Sequence, residues 1–523
     1  MIETIGICLI ALGIYIAYLI KDTHMFQLEE YETKNLFHWA LRNKNYFLMY
    51  LALTIVTCLF IYTTDNKIIK WITVLVLVAA YIYSIYARSK KPEKIALKYT
   101  SRVKRIMVTC IILFLAELSL SFVIPKFNFV ILAALGIISP INLIIANVLL
   151  KPVQKMINQH YINDAKRILK QRTDLKIIGI TGSYGKTSSK FILQTILSEK
   201  YNTCATPNSF NTPLGNVRTI RENLKKEHQV FISEMGARCV GEIKEVCDIV
   251  HPGYGIITSI GKQHLETFKS LDNIIKTKYE LIDSLPDTGV AFFPADNEYT
   301  LELYKKEKRK KYLYGLENDK LDLDMYIKDI KLSERGCTFT LCTKNDSVEC
   351  TTKLLGEHNA LNILGCAAIA YELGLSLEEI KNGISKIEPI PHRLELMVNA
   401  NGSTVLDDSF NSNPNGTKVA LKVLSGFNGT KIIITPGMVE LGDEEYALNK
   451  EFGENIARVA DIAILVGKNR TKAIQEGLKS AGFNEKNMYV VSTLNEATTA
   501  LGTVIKPGDT VLFENDLPDN YNE

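Results

Sequence analysis

The chain has 523 residues, 47% hydrophobic and 23% charged, which allows several domains with large cores and excludes a disordered protein. Its net charge of +4, from 61 basic and 57 acidic residues with no long basic block, argues against a nucleic-acid partner. The ten cysteines are dispersed without a C-x-x-C pair, which argues against structural zinc and suits a reducing compartment.

Five apolar stretches come first, at about 2–20, 46–63, 71–87, 106–124 and 129–150. Each is near the roughly 20 residues that cross a bilayer core as helix. The first lacks a basic leader region and a small-residue cleavage site, so a removable signal peptide is the weaker reading. Between the third and fourth stretches lie Arg88, Lys90, Lys91, Lys94, Lys98, Arg102, Lys104 and Arg105, whereas the second and fourth loops hold only Lys67, Lys70 and Lys126. Because Lys and Arg stay cytoplasmic, the third loop is expected inside. The first loop, with Lys21, Lys34, Arg42 and Lys44, is then also inside, the N-terminus is outside, and everything after Leu150 is cytoplasmic. The expectation is a multi-pass protein of the cell membrane. Glu117, inside the fourth stretch, is either an intramembrane functional carboxylate or one satisfied at a protein interface. Residues 151–174 read as a basic amphipathic linker, either lying on the inner leaflet or simply connecting domains.

From Leu175 the texture changes to short β-rich runs alternating with helical patterns, the signature of α/β domains with a mainly parallel sheet. Strand candidates are "KIIGIT", "QVFISEM", "GYGIITSI", "KIIIT", "IAILVG" and "DTVLFE". Two prolines in "IEPIPHRLE" mark a boundary near residue 388. The expected architecture is therefore an α-helical membrane domain (1–150), then an α/β central domain (175–388) and a smaller Rossmann-like α/β domain (389–523).

In "GITGSYGKTSS" a strand leads through a glycine turn into a helix. Backbone N–H groups and the helix dipole at such a start bind phosphate, which makes Gly182, Ser183, Gly185, Lys186, Thr187 and Ser188 the candidate ATP cradle. Lys186 would reach the outer phosphates, and the Thr187 hydroxyl would sit on magnesium. The match is to T-G-x-x-G-K-T rather than the full Walker pattern, because position 180 is Ile. "VFISEMGA" and "GIITSIGKQHLETF" end further strands near Glu234 and His264, where open α/β sheets gather their ligands. Both are plausible metal-site groups, and either could be only a satisfied polar residue.

The short phosphate loop resembles that of the Mur ligase family, and the branch that adds D-alanyl-D-alanine looks closest. Supporting stretches run through residues 175–515: "TPNSFNTPLGNV", "SEMGARCVGEI", "HLETF", "KTKYELI", "PADNE", "GEHNALNILGCAAIA", "HRLE", "VLDDSFNSNPNG" and "MVELGDEE". The resemblance implies an ATP- and Mg2+-dependent amide ligase of bacterial envelope synthesis. A substrate carboxylate becomes an acyl phosphate, and the amine of an amino acid or dipeptide then attacks it. No enzyme nucleophile is required; the protein positions the reactants and stabilises charge. By motif, Lys186 would act on the transferring phosphate, Thr187 and Glu234 would hold one magnesium, and His264 a second. Lys278 matches a lysine that the family often carries as a carbamate. His358, Asn359 and Asn362 match groups around the adenine. Arg393 and Asp408 match C-terminal groups that close over phosphate and ribose. Ser209, Asn211 and Thr212 match the acceptor-facing loop.

Three features depart from that branch. Membrane stretches replace the domain that recognises a uridine-diphosphate sugar peptide. "PGMVELG" has Gly437 where the family has Asp, and a helix position often His is Asn449. The chain ends "LFENDLPDNYNE", where a Lys-Gly-Ser-Arg segment is usual. The acceptor expected from the resemblance is a muramoyl peptide, or a lipid- or glycan-linked carboxylate that would explain the bilayer address. A poly-γ-glutamate-type polyamide synthetase and a nucleotide-binding membrane sensor or transporter component are the alternatives.

Overall fold

The computed structural model describes residues 1–523 except 43, 65, 90–94, 125, 411 and 518–523, with the side chains of 38–47 and 49 also outside the description. Lys90, Lys91 and Lys94, the side chains of Arg42 and Lys44, and the final six residues therefore lie outside the described residues. Two compact units divide the chain after Gln159.

The first unit is helical: Ile2–Leu28, Thr33–Arg42, Lys44–Thr63, Lys67–Ser89, Ser101–Ser119 and the start of Phe127–Lys170. A helix pairs its backbone groups internally, so an apolar run takes this form without leaving N–H and C=O groups unpaired. Among the described residues four helices are long and apolar enough to cross a membrane: Ile2–Leu28, Lys67–Ser89, Ser101–Phe122 and Phe127–Lys170. The other expected stretch, 46–63, falls within helix Lys44–Thr63, where the side chains of 44–47 and 49 lie outside the described residues. Polar groups pair inside the unit. Arg88 bonds Asp22 at 2.9 Å, Ser139 donates to the same carboxylate at 2.6 Å, and Glu117 accepts from Asn142 at 3.3 Å. Residues 151–170 do not form a separate linker helix. They continue Phe127–Lys170, a single 44-residue helix with Pro140 and Pro152 inside it.

The second unit is built on two sheets. The first comprises β1 (Lys176–Thr181), β2 (Thr203–Ala205), β3 (Val230–Glu234), β4 (Tyr254–Ile257), β5 (Val290–Pro294), β6 (Lys310–Leu316), β7 (Met325–Ser333), β8 (Gly336–Thr343) and β9 (Ser347–Thr352). Their spatial order is β2-β3-β1-β4-β5-β6-β7-β8-β9, parallel up to β7 and antiparallel through the last two pairs. Helices Lys186–Leu197 and Glu357–Glu372 cover one face through Ile192, Ile196, Ile363 and Ala367. Helices Glu242–Val250 and Leu271–Asp283 cover the other through Val246, Ile249, Ile274 and Leu281. A sheet buried on both sides explains the near-continuous apolar strands.

The second sheet comprises β10 (Glu395–Val398), β11 (Thr404–Asp408), β12 (Lys431–Thr435), β13 (Ile462–Val466), β14 (Met488–Val491) and β15 (Thr510–Glu514), in the order β10-β11-β15-β12-β13-β14. Only the edge strand β10 runs antiparallel. The register sets Asp408 beside Glu514, at the C-terminal ends of neighbouring parallel strands.

Candidate active site

β1 ends at Thr181, and the turn that follows is pinned by the loop after β4. Ser183 N donates to Ser259 O at 2.8 Å, and Ser183 Oγ donates to Gly261 O at 2.9 Å. Two glycines are obligatory here. Gly182 has φ +153° and a Cβ would lie 2.1 Å from Thr258 Oγ1; Gly185 has φ +78° and a Cβ would lie 2.5 Å from Asn362 Oδ1. Left-handed backbone and this crowding both exclude a side chain. Helix Lys186–Leu197 then opens with its first N–H groups facing the turn.

Lys186 folds back over the turn, its Nζ donating to Gly182 O at 2.7 Å and Ser183 O at 3.3 Å. Burial pushes its pKa down to about 8; the Arg393 cation adds to this, and Glu234 opposes it. One residue on, Thr187 Oγ1 donates to Glu234 Oε1 at 2.9 Å, and Asn211 Nδ2 reaches the same oxygen at 3.2 Å. Lys190 Nζ donates to the other oxygen, Oε2, at 3.0 Å, and neither side chain of that pair is exposed. Glu234 stands at the end of β3, in register with Ile180 of β1. Ser188 is buried in the first turn of the helix.

Arg393 reaches this cluster from the segment just before β10. Burial lowers its pKa, while the fields of Asp408 and Glu234 sustain its charge, and its guanidinium lies 4.3 Å from the Phe410 ring centroid. Asp408 accepts from Leu394 N at 3.2 Å. Burial raises its pKa to about 6 against the pull of Arg393, and burial beside Asp408 raises Glu514 well above the carboxylate range. Ser412 Oγ donates to Glu514 Oε1 at 2.7 Å, leaving Glu514 Oε2 buried without a partner.

On the far side of the turn, Asn362 lies against Gly185 and bonds Asn359 at 3.4 Å, and Asn359 is anchored to Leu355 O at 2.9 Å. His358 Nδ1 is buried without a partner, and burial drives its pKa down to about 4. A neutral imidazole with an unsatisfied nitrogen suits an uncharged heteroaromatic ring.

Residues 180–370 match the Mur ligase middle domain, and residues 392–514 match the Mur ligase glutamate ligase domain. The UDP-N-acetylmuramoyl-tripeptide--D-alanyl-D-alanine ligase of Bacillus subtilis is 30% identical over 350 residues, 66% of this chain and 74% of that protein. The chain belongs to the Mur ligase family. The same-named ligase of Escherichia coli K12 is 32% identical over 302 residues, 57% of this chain and 66% of its own length, just under two thirds. A crystal structure of MurF from Acinetobacter baumannii superposes with a TM-score of 0.63 at 29% identity, covering 70% of this chain and 78% of that one. The family's members are ATP-dependent ligases that form carbon–nitrogen bonds.

In this Mur ligase the expected site residues do not all converge. Thr187, Glu234 and Asn211 are joined by hydrogen bonds, and the charges of Lys186 and Arg393 act on one another beside them. Asn211, expected toward the acceptor, is bound to Glu234. Thr212 caps helix Pro213–Glu222, accepting from Gly215 N at 3.2 Å. Ser209 lies half-buried in the same loop. His264 is spoken for: with left-handed backbone (φ +50°) it bonds Glu440 Oε2 through Nδ1 at 2.5 Å. Glu440, beyond β12, also has positive φ, and Lys262 pairs with Glu444 at 2.7 Å alongside. Lys278 is buried 5.7 Å from the Phe268 ring centroid; burial and the Lys186 charge hold its pKa well below the lysine range against Glu242 and Glu280.

The departures also meet. Asn449 bonds Met438 N and Met438 O at 2.9 Å each, and Gly437 has φ +84° with a Cβ position 2.8 Å from Asn449 Oδ1. Asn515 Nδ2 donates to Gly437 O at 2.7 Å. Sequence reasoning missed Lys190, Glu440 and Glu514. It also missed the group His392, Glu395 and Asp407, the one set of three metal-capable side chains within 4.8 Å among the described residues. His392 Nδ1 and Asp407 Oδ2 are 2.7 Å apart there, so the group is hydrogen-bonded internally.

Proposed function

We propose that this chain is a membrane-associated amide ligase of envelope synthesis, activating a substrate carboxylate with ATP for attack by an amine. The observation that carries this reading is the approach of Arg393, from the C-terminal domain and backed by Asp408, to Lys186, Thr187 and Glu234 of the middle domain. The turn and helix start receive phosphate, and His358, Asn359 and Asn362 border the adenine. Lys186 leaves its carbonyl partners to meet phosphate oxygen, and Arg393, near enough for the two charges to act on one another, adds a second cation. Once Lys186 has turned from those carbonyls, two cations stand beside the transferring group, and their charge stabilises the negative charge that develops there.

Magnesium fits this donor set. Thr187 Oγ1 and Glu234 Oε1 are 2.9 Å apart, the spacing of adjacent oxygens on an octahedral ion with bonds of about 2.05 Å. Thr187 and Glu234 would hold the ion, which would supply positive charge to offset that of the phosphates. Burial, with the Lys186 charge, favours the neutral form of Lys278, the form that adds CO2 to give a carbamate anion and a proton. His264, fixed to Glu440, would position the C-terminal domain, and its remaining ring nitrogen is left for a second ion.

The donor is an amino acid or dipeptide. The acceptor is a muramoyl peptide, UDP-linked as in the names of the relatives, or lipid- or glycan-linked. The helical first unit anchors the enzyme, N-terminus outside and ligase unit in the cytosol with ATP. Full-length protein in detergent, screened for ADP release against carboxylate and amine pairs, tests the reading. Amine-dependent ADP formation that disappears in Lys186→Ala is expected. Nucleotide binding with no amine dependence for any pair would overturn it. Robust turnover with UDP-muramoyl tripeptide and D-alanyl-D-alanine alone would rule out a lipid-borne acceptor, and cysteine-accessibility mapping of the loops tests the topology.

A further inference from the structure

Lys190 lies three residues after Thr187, so both side chains leave one face of helix Lys186–Leu197 and lean on the same carboxylate. They divide it. Thr187 and Asn211 take Glu234 Oε1, at 2.9 and 3.2 Å, and Lys190 takes Oε2 at 3.0 Å. The ammonium is held from its other side by the Asn208 carbonyl, in a backbone turn with φ +46°. Neither Lys190 nor Glu234 has an exposed side chain, so the pair has no room to exchange partners with solvent. A lysine buried this completely is retained only where its charge is paired and bonded.

We infer that Lys190 sets the ion preference of the site, holding Glu234 to coordination through one oxygen and thereby selecting a small octahedral dication over a larger one. The inference rests on the reading of Thr187 and Glu234 as the metal-binding pair. Mg2+ takes six ligands at short, near-octahedral positions and uses carboxylates one oxygen at a time. Ca2+ takes six to eight ligands and gains from a carboxylate that offers both oxygens. With Oε2 committed to Lys190, Glu234 supplies the first arrangement and withholds the second. Lys190 is thus a positioning residue that acts through Glu234. Because its ammonium also grips Asn208, the ion-binding carboxylate and loop 207–212 are fastened by one side chain.

The test is calorimetric binding of a non-hydrolysable ATP analogue to the full-length protein in detergent, with saturating Mg2+ or Ca2+, for wild type and Lys190→Met. Wild type should bind the analogue more tightly with Mg2+. In Lys190→Met the ratio of the two affinities should move toward Ca2+ by about tenfold or more, the usual scale for loss of an outer partner of a metal ligand. An unchanged ratio in a variant that unfolds cooperatively overturns the inference. If Lys190→Met does not fold, infrared difference spectra of wild type against Glu234→Gln decide the matter. A carboxylate splitting characteristic of one-oxygen binding with either ion supports the inference, and a two-oxygen splitting with Ca2+ overturns it. Wild type that binds the analogue without any dication refutes the metal-binding reading itself, which is a separate result.

Discussion

Lys186 is held in the folded chain as a cation the fold disfavours, which makes Lys186→Met informative. Its pKa falls from 10.5 to about 8, so between those values the unfolded chain binds more protons and stability rises with pH. The charge therefore weighs against folding at full strength below pH 8, and the effect fades as pH climbs toward 10.5. At about 1.36 kcal/mol per tenfold change in acidity the burden is about 3 kcal/mol. The side chain keeps partial contact with water, which roughly halves that. Methionine also forfeits the two bonds to Gly182 and Ser183 carbonyls, at about 0.5 kcal/mol each. The balance is a gain of about 1 kcal/mol at pH 7 that vanishes by pH 9.5. Wild type should gain about 2.7 kcal/mol from a Mg2+–ATP analogue at a hundred times its Kd, and the variant should gain almost nothing. Scanning calorimetry at both pH values, with and without analogue, reads all of this. A variant less stable than wild type at pH 7 by the same margin as at pH 9.5 would show that Lys186 is a structural residue and refute the reasoning.

Gly437→Asp forces a Cβ to within 2.8 Å of Asn449 Oδ1 at φ +84° and should cost about 1–3 kcal/mol in thermal unfolding; Gly437→Ala should pay most of that. Asp408 and Glu514 have raised pKa values in the fold, so the folded chain keeps protons that the unfolded chain releases, and stability falls as pH rises past about 4 toward 6 and above. Glu514→Gln, a permanent stand-in for the protonated acid, should then be more stable than the parent at pH 7.5 by about 1–3 kcal/mol and equal to it near pH 4, measured by urea unfolding. Glu440→Gln weakens the contact with His264 and should shift the two domains toward separation by about fivefold, or about 1 kcal/mol, visible as faster proteolysis between Lys386 and Leu394.

The strands flanking the phosphate turn were legible because each is a short β-rich run buried on both faces, so hydropathy alone marks it. The hairpins β7–β9 escaped because "KDIKLSERG" and "TKNDSVEC" are half polar, as antiparallel edges with a wet face are. The turn itself was legible from Gly182, Gly185, Lys186 and Thr187, whose types are dictated by backbone geometry and phosphate chemistry. Lys190 was not: four residues after Lys186 it looks like any helix-surface lysine, and only tertiary packing against Glu234 and Asn208 buries it. Thr212 and Asn211 sit one residue apart in a loop whose fold cannot be read from its letters, so a helix cap and a ligand to Glu234 looked alike. His264 and Glu440 are 176 residues apart, and no local pattern relates them. The long helix Phe127–Lys170 hid its continuity behind a change from apolar to basic residues that leaves the backbone pattern untouched.

The triangle of Gly437, Asn449 and Asn515 bears on how such a chain could have diverged. Asn449 fills the space that a side chain at 437 needs, and Asn515 holds the Gly437 carbonyl in the conformation that only glycine adopts without strain. Each residue is tolerable because the other two are present. A side chain placed at 437 alone therefore crowds Asn449, and a change at 449 or 515 alone removes a contact that holds the segment around Gly437. A chimera that exchanges this region with a relative should therefore transfer the three positions together.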